Sequence, residues 1–197
     1  MRPVVGVTGD LYTRMNPIGN ASLFHRLEQM GCEVWPSPFF ASMTLGAALE
    51  MRKKASQGRL VDAAFEELTR VFTTQASRRM TDRLAPEVAA LAVEPPPEDL
   101  IYRARPYVGP GTHVLVVLTV AKIADFLSRG AAGVISAAGI NCMVGTVTSS
   151  LIPAIRADFA QAPVLSLFYG STEGPGQRIR LETFVHQVQE RRSRGML

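Results

Sequence analysis

The sequence predicts a parallel α/β fold: a sheet of about four strands in the order 2-1-3-4, carrying a helical insertion. Three observations lead there. Short apolar, β-branched runs recur at residues 3–8, 32–36, 133–137 and 163–168, as expected of strands buried on both faces. Segments with apolar residues at helical spacing lie between them, and glycines punctuate the junctions. Strand, helix, strand with short links is the opening of a parallel sheet. The chain has 197 residues, enough for a single α/β domain over 1–197 that buries roughly 70% of its unfolded surface.

Residues 3–8 form the first expected strand. The stretch 9–19 reads as a loop, with Asn16-Pro17 and Gly19 inside it. Asn20 suits the N-cap of a first helix. Leu23, Leu27 and Met30 share a face of that helix, and Gly31 ends it. Cys32 opens the second strand and is expected in the core.

From 42 to about 92 the strand formers thin out and Ala, Leu, Met, Glu, Lys and Arg take over. Two or three helices are expected, with a break near 56–58. Leu60, Ala64, Leu68 and Val71 give one helical face, and Arg52, Lys53 and Lys54 are expected on a solvated surface. The run Pro95-Pro96-Pro97 closes the excursion. It is too long for a simple crossover, so 42–97 is read as a helical insertion or cap. Residues 114–127 have a strand-like composition, but a strand there would leave no crossover before the next one, so a buried helix is expected. Val147, Leu151, Ile155 and Phe159 mark a helix after the third strand. Leu181, Phe184, Val185 and Val188 mark the last.

Composition narrows the function. Hydrophobic residues make up 47% and charged residues 19%, which excludes a disordered chain. The longest apolar run, 114–127, is broken by Lys122 and Asp125, so no membrane partner is expected. The start, Met1-Arg2-Pro3, runs directly into a strand pattern, so no signal peptide is expected and a cytoplasmic location is the default. Two cysteines, Cys32 and Cys142, make no disulfide framework. The three histidines lack zinc-ligand spacing. The net charge is +4, with 11 basic and 12 acidic residues in 1–100 against 10 and 5 in 101–197. The basic end, Arg191-Arg192-Ser193-Arg194, suits a helix C-terminus. No aromatic-interleaved basic stripe accompanies it, so no nucleic-acid partner is expected. An anionic small molecule is compatible with the charge.

Ligands of open parallel sheets bind beyond the carboxyl ends of the strands. Three loops are expected to meet there, at 9–19, 138–145 and 169–177, each before a helix N-terminus. The pair Gly6 and Gly9 is neither a dinucleotide nor a Walker loop and suits a tight turn. Asp10, Arg14, Asn16 and Asn20 are the ligand-binding candidates of the first loop; Arg14 is not a turn residue and suits a carboxylate or phosphate. Cys142 precedes a helix, where a thiolate is stabilised. Its residue type and position fit a small buried hydrophobe, a nucleophile or a metal-cluster ligand. A nucleophile needs a base, and no sequence pattern supplies one.

Three blocks resemble a known family. They are Gly6-Val-Thr-Gly9-Asp10-Leu-Tyr12-Thr-Arg14-Met-Asn16-Pro17 with Asn20 and Leu27-Glu28-Gln-Met-Gly31; Gly130-Ala-Ala-Gly133-Val-Ile with Asn141-Cys142-Met143-Val144-Gly145-Thr146; and Arg180-Leu-Glu182-Thr-Phe184. In this order they resemble the large CoA-substrate-specific enzyme activases, relatives of the iron–sulfur component of the 2-hydroxyacyl-CoA dehydratases. The resemblance implies a Rossmann-like or flavodoxin-like domain beside a [4Fe–4S] or related cluster, with Cys142 at a metal-ligand position. Val144 stands where the family usually has Pro, Tyr169-Gly170-Ser171 where it tends to have an acidic residue, and Gly111-Thr112-His113 where it has a Gly-Glu pair. A cubane cluster needs about three or four thiolates, and this chain offers one suitably placed. The resemblance therefore implies a cluster shared with a second cysteine-containing subunit or a homodimer mate. The alternative is a non-catalytic small-molecule- or protein-binding domain without a cluster.

Overall fold

A computed structural model of the protein describes residues 2–84, 92–170 and 176–195. Its sheet has four strands: β1 (Val4–Gly9), β2 (Glu33–Pro36), β3 (Gly133–Gly139) and β4 (Val164–Tyr169). All neighbours are parallel and the order is β2-β1-β3-β4, as the sequence predicts. The described helices are α1 (Leu11–Met15), α2 (Leu23–Gln29), α3 (Phe40–Ser56), α4 (Leu60–Thr81), α5 (Pro97–Ala104), α6 (Val114–Ser128), α7 (Met143–Asp158) and α8 (Gln177–Ser193). The stretch 114–128 is helical, and among the described residues no helix is long and apolar enough to cross a membrane.

Two helices depart from the sequence reading. The loop expected at 9–19 begins with α1, because the Asp10 carboxylate accepts hydrogen bonds from Thr13 N at 2.8 Å and Thr13 Oγ1 at 2.7 Å. A five-residue helix has too few positions to show a period, so only the cap betrays it. Helix α5 starts on the last of the three prolines, where a missing N–H costs nothing, with Glu98 and Asp99 in its first turn. The expected insertion contains α3 and α4; its residues 85–91 lie outside the described residues. Arg52 and Lys53 are exposed as expected, whereas Lys54 is drawn into a salt bridge with Glu66 of α4.

Strand side chains alternate between two cores. Val5, Val7, Ile135, Ala137 and Leu167 pack with Leu23 and Leu27 of α2 and with Leu181, Phe184 and Val188 of α8. Buried Cys32 belongs to this side, as expected. Trp35 and Val134 face the other side, against Leu45 of α3, Leu100 of α5, Val120 and Phe126 of α6, and Ile155 of α7. Helix α6 lies close on β1 because Gly6 has no Cβ; a methyl there would overlap the Phe126 ring.

A charged cluster is buried beside that contact. Lys122 and Asp125 of α6 are fully buried. The Lys122 ammonium bonds Asp125 Oδ2 and Glu94 Oε1, each at 2.8 Å, and sits 4.5 Å above the Phe126 ring. Arg129 approaches Asp125 Oδ2 at 3.5 Å and lies 4.4 Å over the Trp35 ring. Burial pushes the Glu94 carboxyl above the ordinary carboxylate range, against the pull of Lys122.

Two outcomes follow from these contacts. Gly6→Ala should lower unfolding free energy by roughly 1–3 kcal/mol through overpacking, and Phe126→Leu should recover part of it, both read from urea denaturation; an unchanged midpoint for Gly6→Ala would show that α6 is free to retreat. Glu94 binds its proton more tightly folded than unfolded. Its contribution is therefore fully present below the ordinary carboxylate pKa and is lost as pH rises through the raised one. Relative to Glu94→Gln, the natural chain should lose stability as pH climbs through that window. Parallel stability–pH curves for the two proteins would contradict this.

Candidate functional site

The carboxyl ends of β1 and β3 lie side by side, with Thr8 in register with Ser136 and Gly9 with Ala137. Gly9 has φ +111, and a Cβ there would overlap the Ala137 backbone, so no side chain fits. Asp10 N then donates to Ala137 O at 2.8 Å. The loops after β1 and β3 therefore leave the sheet together.

The polar candidates of the first loop are engaged with the loop itself. Asp10 caps α1. Arg14 is only 1% exposed, and its guanidinium donates to Gly9 O at 3.2 Å and Pro38 O at 3.3 Å. It ties the end of β1 to the segment after β2. Desolvation lowers its pKa to about 10, opposed by the carboxylates of Glu94 and Asp10, so it stays charged at neutral pH. Asn16 Oδ1 accepts from Ile18 N at 3.0 Å and Gly19 N at 3.3 Å, closing a turn. The N-cap of α2 is Ser22 and not Asn20 as expected, because a further turn intervenes before the helix; Asn20 Oδ1 still accepts from Leu23 N at 3.1 Å, and its Nδ2 donates to Arg14 O at 3.0 Å. Arg14 and Asn20 share the wall of an open groove of about 400 Å³ with Met15, Phe24 and Glu28. Asn16 and Cys142 are not among its walls.

Cys142 is the residue before α7, with φ −70 and ψ 118. Asn141 before it has φ +64, a left-handed conformation that asparagine tolerates. The reversal from β3 into α7 is thus made in three residues, Ile140 to Cys142. The Cys142 carbonyl accepts from Thr146 N at 2.9 Å and Thr146 Oγ1 at 3.0 Å. Its side chain is half-buried, packed on the same core cluster as Val134 and Leu151. The loops of this edge carry exposed apolar side chains, Tyr12 and Ile18 in the first and Ile140 and Met143 in the second. Of the third expected loop, residues 171–175 lie outside the described residues.

One feature of this edge escaped the sequence reading. Just inside it, Thr8, Ser136 and Ser166 occupy one row across β1, β3 and β4. Ser37 extends the row past β2, its N–H bonded to Val7 O. Ser166 bonds Ser149 of α7 at 2.7 Å. The hydroxyls of Thr8, Ser37, Ser136 and of Thr148 in α7 are buried without a hydrogen-bond partner. The signal was present as one Ser or Thr near the end of every strand, visible only once the strands are set in register. A separate cavity of about 460 Å³ lies between α3, α4 and the returning chain, with Arg70, Arg78 and Glu94 in its wall.

As for metal chemistry, the described residues contain no group of three or more His, Cys, Asp or Glu side chains arranged to hold an ion. Cys32 sits before β2, at the opposite end of the sheet, and burial pushes its thiol pKa up. The chain's own residues do not fit a complete iron–sulfur cluster; Cys142 can supply one ligand. No family model, curated protein or solved structure matches the chain.

Arg14→Met keeps the length of the side chain and removes both donors. It should cost roughly 2–4 kcal/mol, since two carbonyls lose charge-assisted partners, and Arg14→Lys should recover less than half of that. Chemical denaturation reads both. Full stability of Arg14→Met would show that the guanidinium is not a structural tie.

Proposed function

We propose that the chain is a subunit related to the CoA-substrate-specific activases and 2-hydroxyacyl-CoA dehydratase components, and that its sheet edge forms one wall of a site completed by another chain. One observation carries the reading. The polar residues of the first loop turn inward to hold the loop, and the loops after β1 and β3 leave Tyr12, Ile18, Ile140 and Met143 exposed as an apolar rim, with a half-buried thiol in the second loop. A rim of this composition suits contact with protein better than capture of a free anion. In this reading Cys142 is the chain's single donor to an iron–sulfur cluster, with the remaining thiolates supplied by a cysteine-containing partner or a second copy. The cluster would supply electron transfer; this chain's residues would hold one corner of it and exclude water from that side.

The donor count favours a second reading, a small-molecule- or protein-binding domain of the same fold without metal chemistry. Anaerobic affinity purification, with iron and sulfide analysis of the isolated chain and of any complex that co-purifies, separates the two. The first reading expects an iron-poor isolated chain and an iron- and sulfide-containing complex whose iron falls in Cys142→Ser. A complex free of iron, or one whose iron is untouched by Cys142→Ser, would leave the second.

A further inference from the structure

Helix α4 is amphipathic the wrong way round. The face it turns to α3 carries Ala63 and Thr73, its two buried residues, and Glu66, which forms a salt bridge with Lys54 of α3. Its outward face carries Leu60, Val61, Phe65, Leu68, Val71 and Phe72, all exposed, with Val61 at 85% and Phe72 at 72%. Val61, Phe65, Leu68 and Phe72 recur at alternating four- and three-residue spacing, which places them on one stripe. The sequence places Leu60, Ala64, Leu68 and Val71 on one helical face; that face exists and is turned outward, because α4 uses its other side for the intramolecular contact.

We propose that this stripe is the interface of a homodimer, formed by α4 packing antiparallel against α4 of a second copy. Two observations support that occupant. First, area: at roughly 100 Å² of exposed apolar surface per side chain, the six residues present on the order of 600 Å² per chain. With polar borders this reaches the roughly 800 Å² per partner of a standard interface. Second, shape: α4 has 22 residues and is about 33 Å long, with the stripe confined to its first thirteen residues or so, a length suited to a helix–helix seam.

In this dimer Val61 faces Phe72 of the second copy and Phe65 faces its Leu68, with the axis between residues 66 and 67. The assembly is independent of Cys142 and of the cluster reading.

Sedimentation velocity on the full chain across a concentration series should show a dimer. Phe65→Glu with Phe72→Glu, both at exposed positions, should give a monomer with an unchanged far-ultraviolet dichroism spectrum. In a Cys142→Ser background, oxidation of a mixture of Val61→Cys and Phe72→Cys chains should give the mixed disulfide in large excess over either self-linked product. A natural chain that is monomeric at every concentration, a dimer that survives the double substitution, or self-linked Val61→Cys as the main product would each overturn the proposal.

Discussion

The whole arrangement hangs on an ammonium group that has no access to water. Lys122 is fully buried in α6, and an unpaired charge at such a position would cost several kcal/mol. It is held by Asp125 one turn on and by Glu94 from the returning end of the insertion. That second partner pins a segment of successive prolines to the crossover helix. The same ammonium lies on Phe126, Phe126 packs at 4.8 Å on Trp35 of β2, and Arg129 lies over the Trp35 ring. Ion pair, ring and ring thus run without interruption from the insertion to the sheet. Gly6 completes the chain of constraints: because it lacks a Cβ, α6 sits on β1 closely enough for Phe126 to reach Trp35.

This cluster explains what could be read from the sequence and what could not. Strands β1 to β4 were legible because buried parallel strands are short, apolar and ended by glycine or proline. The helix at 114–128 was legible only by exclusion, since its apolar run fits either element and topology decided. Lys122 and Asp125 were visible as interruptions of a possible membrane span, three residues apart, yet nothing local says that Glu94, 28 residues upstream, would meet the same ammonium. Pairings at that separation are tertiary facts. The direction of α4 was hidden for a related reason. A period shows that one face differs from the other, but which face meets the protein depends on where Lys54 finds Glu66.

At the sheet edge the residue types were legible in the sequence, and the loop's own hydrogen bonding was not. Asp10, Arg14, Asn16 and Asn20 are polar groups at the carboxyl ends of strands, where ligands bind, so a ligand role was the natural expectation. Each, however, offers hydrogen bonds that a tight loop also needs. Asp10 caps α1, Asn20 takes up the first N–H of α2, Asn16 closes a turn, and Arg14 bridges the carbonyls of Gly9 and Pro38. Burying a guanidinium to hold Gly9 O and Pro38 O is costly, and the return is a fixed relation between the ends of β1 and β2. Such precision at a loop is useful where something must dock against it.

The backbone around Cys142 carries the same logic further. Three residues separate β3 from α7, and one of them, Asn141, is held at positive φ. The Thr146 side chain and main chain both bond the Cys142 carbonyl, so the residue's position is set by backbone geometry and not by packing of the sulfur. Its side chain then lies half in the core and half in the rim, next to the exposed Ile140 and Met143. A thiol meant only to fill the core would have no need of apolar neighbours pointing into water. A thiol meant for a complete cluster would need companions that the described residues do not bring to it.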